Sequence, residues 1–90
     1  MVQSASGWER FTRDLGLRIQ RERNARHQTQ DEVAARAGIS RVTYQRLEHG
    51  HGTQSTLANP NLSTLIAVSQ VLGVTVADLL PPDPPDLTLN

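Results

Sequence analysis

Apolar residues Trp8, Phe11, Leu15 and Ile19 recur at spacings of three and four with charged residues between them, which predicts a long amphipathic helix from Trp8 to about Arg26, broken in composition only by Gly16. The next stretch, TQDEVAARAG, opens on Thr29 with Glu32 three residues on. That is a capping box, in which each side chain satisfies a backbone N–H at the helix start, and Gly38 supplies the stop. After Ile39 a new cap candidate, Ser40, leads into RVTYQRLEH and a stop at Gly50. Two short helices joined by a turn of about four residues are predicted, with small side chains at Ala34 and Ala37 permitting close approach.

The segment HGTQSTLANP has little periodicity and reads as a loop that is long for a small bundle. Asn59 and Pro60 then resemble an N-cap and first helical position. Leu62, Leu65, Val68, Ser69 and Leu72 form an inward stripe ended by Gly73, and Thr75 with Asp78 caps a last helical turn, VADLL. The expected fold is all-α, a compact five-helix bundle with an extended first helix. Residues 1–7 are expected to be a flexible N-terminus, 8–80 one domain and 81–90 a tail. PPDPPD excludes helix and favours an extended, polyproline-like course. A frayed end is the expectation for it, with docking of Leu87 and Leu89 on a partner as the alternative.

Stepping about 100° per residue from Ser40 sorts the third helix. Arg41, Val42, Gln45, Arg46 and His49 fall in one arc, and Thr43, Tyr44 and Leu47 in the other. The arginines are expected to point away from the core. Arginine donates two parallel hydrogen bonds to guanine, glutamine pairs with adenine, and a valine methyl packs on the thymine methyl. An ordinary solvated helix face has the same composition.

Ninety residues make one small domain with no room for a large cleft. Zero cysteines exclude disulfides and thiolate chemistry. MVQSASGWERF lacks the pattern of a signal peptide, and no segment approaches the roughly twenty apolar residues of a membrane span, so a cytoplasmic protein is expected. Net charge is zero, which taken alone argues against a nucleic-acid partner. The distribution changes that picture: nine arginines oppose six carboxylates between Gly7 and Gly50, whereas the rest of the chain carries only Asp78, Asp83 and Asp86. Such asymmetry suits a domain that shows one face to a polyanion.

His27, His49 and His51 invite a metal reading, but without cysteine or a carboxylate at ligand spacing no metal site is expected. No cofactor is expected either. Serines and threonines sit at caps and in loops, and the carboxylates fall on helix faces, so no catalytic constellation is expected and the protein is read as a non-enzyme.

From Leu15 to Leu80, about three quarters of the chain, the order of residues resembles the lambda-repressor-like helix-turn-helix family, also called Cro/repressor or XRE-type. The resemblance is carried by Leu15, Ile19 and Arg23 in LGLRIQRER, by Gln30, Ala34, Gly38, Tyr44, Leu47, Glu48 and Gly50 in TQDEVAARAGISRVTYQRLEHG, and by LSTLIAVSQVLGVTVADLL. It implies a helix-turn-helix at about 30–49, its third helix in the major groove of double-stranded DNA and its second across the phosphate backbone. The family's base-reading positions fall on Arg41, Val42 and Arg46, with Gln45 beside them. Backbone contacts fall on Gln30, with Thr29 and Ser40 near the same strands. Apart from the resemblance, His49 at the end of the third helix is expected to meet the carbonyl dipoles there or a DNA phosphate. A structural ion pair of the family falls on Arg23 and Glu48.

Three departures qualify the match. Gln28 stands where an apolar residue usually comes just before the cap of the second helix, the loop after Gly50 is longer and holds no lysine or arginine, and Trp8 to Asp14 precede the family core. Arg21, Arg26 or helix-start N–H groups are the candidate substitutes for the missing loop contacts. Trp8 and Phe11 are expected on the bundle or on a second subunit. Ile66, Val71 and Val76 fall outside the inward stripe and read either as peripheral core or as a homodimer seam. The expected function is a bacterial or phage-type transcriptional regulator, a repressor acting on an inverted repeat. A protein-interaction module, such as the antitoxin of a toxin pair, is the second hypothesis, favoured by zero net charge and the acidic tail.

Overall fold

The computed structural model describes residues 5–50 and 60–89. Five helices stand among them: α1 Ala5–Ala25, α2 Gln30–Ala37, α3 Arg41–His49, α4 Leu62–Leu72 and α5 Val76–Leu79. The first begins three residues ahead of its expected start at Trp8 and runs through Gly16 without interruption.

Local capping chemistry sets most of the ends. Thr29 accepts from the Glu32 N–H while Glu32 accepts from the Thr29 N–H, and Thr75 and Asp78 repeat the arrangement on α5. These backbone hydrogen bonds, followed by those of the threonine hydroxyls, hold the carboxyls of Glu32 and Asp78 below the usual carboxylate range. Ser40 caps α3, and Gly38 and Gly50 close α2 and α3 in the left-handed conformation. At α4 the expected cap is displaced. Asn61, not Asn59, accepts the Thr64 N–H at 2.8 Å, and the helix starts at Leu62, so Pro60 precedes the cap and is not the first helical residue. The expected loop and Asn59 lie mostly outside the described residues.

The core joins Leu15 and Ile19 of α1, Val33 and Ala34 of α2, Tyr44 and Leu47 of α3, Leu65, Val68 and Leu72 of α4, and Leu79 of α5. Val71 and Val76 pack partly buried on its edge. Leu62, placed by periodicity in the inward stripe, is instead 66% exposed, because it is the first residue of α4 and lies beyond the end of the core. Ile66, one turn on, is exposed as well. Trp8 and Phe11 stack on each other with ring centroids 5.8 Å apart, half-buried on the bundle's own first helix.

Helix α1 lies against the C-terminal end of α3, and two glycines make the approach possible. A Cβ on Gly16 would stand 2.2 Å from the Glu48 carbonyl oxygen. A Cβ on Gly50, whose φ is +75°, would stand 2.3 Å from the Arg13 Cα. Between them the buried Thr12 hydroxyl donates to the Gly50 carbonyl at 2.6 Å, satisfying a group that the end of α3 leaves without a helical partner.

The proline segment does not fray at once. Pro81 is buried, and Pro81, Pro82, Asp83 and Pro85 face Gly7, Arg10, Phe11 and Asp14 of α1 across a shallow groove. Further along, Leu87 and Leu89 are 57% and 76% exposed. No helix among the described residues is long and apolar enough to cross a membrane.

Candidate nucleic-acid interface

Tyr44 and Leu47 are buried, which fixes the inner face of α3 and turns Arg41, Val42, Arg46 and His49 outward. Val42 is 54% exposed, an apolar side chain held in solvent between two arginines. Thr43, which the helical arc places inward, is exposed: it sits in the first turn, where its N–H donates to Ser40 Oγ at 3.0 Å and its hydroxyl accepts from the Ser40 hydroxyl at 2.9 Å. The cap decides its surroundings, not the core.

Beneath this surface lies a polar knot. Arg23 of α1 meets Glu48 of α3 through two hydrogen bonds, Nε to Oε2 at 2.6 Å and Nη2 to Oε1 at 3.2 Å, with the side chains 12% and 3% exposed. The Tyr44 hydroxyl also donates to Glu48 Oε2, and Gln30 Nε2 donates to Oε1 at 3.0 Å. Burial pushes the Glu48 carboxyl up, but donors from Arg23, Tyr44 and Gln30 and the arginine charge outweigh it and hold the carboxyl below the usual range. Burial, then the bond to Glu48, pushes the Tyr44 phenol well above its ordinary value. The bond to Glu48 raises the already high value of Arg23. Arg23 also donates through Nη1 to the Gln28 carbonyl at 2.9 Å, so one guanidinium holds both the end of α3 and the turn into α2. Gln28, the departure from the family's apolar position, is half-buried with its Oε1 unpartnered.

From the knot a chain leads outward. Because Gln30 Nε2 donates to the carboxylate, its Oε1 is the acceptor that remains, and Gln45 Nε2 donates to it at 3.3 Å. Gln45 is therefore half-buried and braced, whereas Arg46 has no ion-pair partner among the described residues. Arg41 faces Asp31 of α2, Nε to Oδ1 at 3.2 Å. Thr29 and Ser40 both spend an acceptor on their caps. Of the candidate substitutes on α1, Arg26 is paired with Glu22 at 2.7 Å and Arg21 is exposed without an ion pair among the described residues. Sequence reasoning missed the Gln30 to Gln45 bond and the Asp31 to Arg41 pair, since both depend on how α2 crosses α3. No metal-holding cluster of His, Asp or Glu occurs among the described residues; His27 and His49 are exposed, and His51 lies outside them.

A helix-turn-helix family profile matches residues 19–79, which include all of α2, α3 and α4. The chain belongs to the XRE-type helix-turn-helix family. Membership makes it a DNA-binding domain of a class of transcriptional regulators. The fold is also that of the restriction-modification controller protein C.AhdI from Aeromonas hydrophila, with a TM-score of 0.66 and 19% identity over 86% of this chain and 100% of that one. No curated protein matches the sequence significantly. In XRE-type terms α2 and α3 are the helix-turn-helix pair, and the knot around Glu48 joins both to α1.

Proposed function

We propose that the protein is a transcriptional repressor of bacterial or phage type, cytoplasmic and homodimeric, which binds an inverted-repeat operator with α3 in the major groove. The observation that carries this is the outward set Arg41, Val42 and Arg46, on a helix whose other side is locked to α1 and α2. Arg41 and Arg46 have the donors for guanine, Gln45 an amide for adenine, and Val42 a methyl group for thymine. Thr29, Gln30, Ser40 and His49 would lie along the backbone; Gln30 keeps one N–H beyond the one it gives Glu48. The controller role of the Aeromonas protein supports a regulatory reading of this fold.

Exposed Leu62 and Ile66, one turn apart on α4, support an isologous seam between two copies. The test of the function is selection of a random DNA library on the purified protein. An enriched motif with two-fold symmetry is expected, and failure to enrich any motif removes the proposal. Sedimentation that gives the mass of one chain, with and without the selected DNA, removes the dimer. Exposed Leu87 and Leu89 on the acidic tail favour a protein partner in addition, such as a toxin, which would co-purify as the product of a neighbouring gene.

A further inference from the structure

Arg41 is the first residue of α3, where the unpaired N–H groups of the helix make the environment positive, and α3 has no acidic residue in its first turn to offset it. A cation is poorly placed there for helix stability. Asp31 supplies the missing charge from α2, its Oδ1 3.2 Å from Arg41 Nε, with both side chains 66% exposed. Asp31 is not needed at its own helix end, because Thr29 and Glu32 already form the capping box of α2. It adjoins Gln30, on the turn that the proposed function sets along phosphates, where a carboxylate opposes the DNA.

We infer that Asp31 is a specificity-determining residue that positions Arg41, an inference that rests on the proposed function. With Asp31 facing Nε, the guanidinium keeps its two terminal nitrogens, the end-on fork that matches guanine O6 and N7. The same carboxylate competes with phosphate oxygens for the arginine and repels the backbone beside Gln30. Asp31 thus lowers affinity for DNA in general and preserves it for the site whose guanine meets Arg41. Arg46, on the same face and without an ion pair among the described residues, is the internal comparison.

The test measures anisotropy on the selected duplex and a scrambled duplex across a salt series, for the wild type, Asp31→Asn, Arg41→Ala and the double variant. Melting curves verify that each is folded. Asp31→Asn is expected to bind scrambled DNA more tightly, with a salt slope steeper by up to about one, the value for one added phosphate contact. The ratio of selected to scrambled affinity is expected to fall about two- to fivefold, the range that an exposed ion pair supports. In the Arg41→Ala background the same substitution is expected to leave the ratio unchanged. An unchanged ratio in Asp31→Asn, or an equal fall with and without Arg41, overturns the inference while leaving the proposed function standing. A wild type that selects no motif overturns both.

Discussion

The α-carbon of Gly16 lies so close to Glu48 that a methyl group there would stand 2.2 Å from the Glu48 carbonyl oxygen and 2.7 Å from that of Leu47. At Gly16, therefore, helix α1 rests directly on the backbone of the last turn of α3. Gly16→Ala raises helix propensity yet must force the two helices apart. It is expected to destabilise the fold by about 1–3 kcal/mol, the usual cost of overpacking, measured by urea unfolding. A stabilised variant would mean that the helices are free to separate.

Glu48 serves Arg23, Tyr44 and Gln30 at once, and its removal leaves a largely buried guanidinium without its counter-charge. Glu48→Gln should cost about 3–5 kcal/mol, and a double replacement of Arg23 and Glu48 by apolar residues of similar volume should cost much less. Denaturant midpoints of the three proteins decide it.

The same group sets a pH dependence. Its folded carboxyl titrates below the ordinary glutamate value, so its contribution is complete above about pH 4.3 and is lost as pH falls through the folded value. Tyr44 has the opposite sign: its phenol titrates above the ordinary value, so its contribution is complete below about pH 10 and is lost at higher pH. Melting temperature should therefore change little with these two groups between the limits. Glu48→Gln should flatten the acid side and Tyr44→Phe the alkaline side.

On DNA, Arg46→Ala is expected to cost about 1–3 kcal/mol and to relax preference at one base pair. Gln30→Ala should weaken binding more evenly across sequences, with an added loss of selectivity to the extent that Gln45 needs its brace. Equal loss by the arginine variant on selected and random duplexes would refute the base-reading assignment.

The tail separates into a docked and an undocked part. Ending the chain after Asp86 should leave stability within about 0.5 kcal/mol, as for surface changes generally. Ending it after Leu80 removes buried Pro81 from the surface of α1 and should cost about 1 kcal/mol or more.

Helix ends set by neighbours in sequence were readable: Thr29 with Glu32, Ser40, Gly50 and Thr75 with Asp78 act within a few residues of themselves. Leu62 and Thr43 were misplaced because periodicity assigns a face but does not say where the core ends or a cap takes over. Gly16 interrupts the composition of α1 for no reason visible in its neighbours, since its reason lies on α3, more than thirty positions away. The outward arginines were legible from angular position alone. Their polar supports, Asp31 and the chain from Glu48 through Gln30 to Gln45, required knowledge of which helices cross.

Arg23 grips the end of α3 and the carbonyl of Gln28 with one planar group, so α1, the turn into α2 and α3 move as a single body. The conformational entropy of ordering the recognition helix is then lost when the chain folds and not when it docks. Amide exchange in α3 should accordingly be as slow in the free protein as in α1, and association should proceed without a folding step that limits its rate.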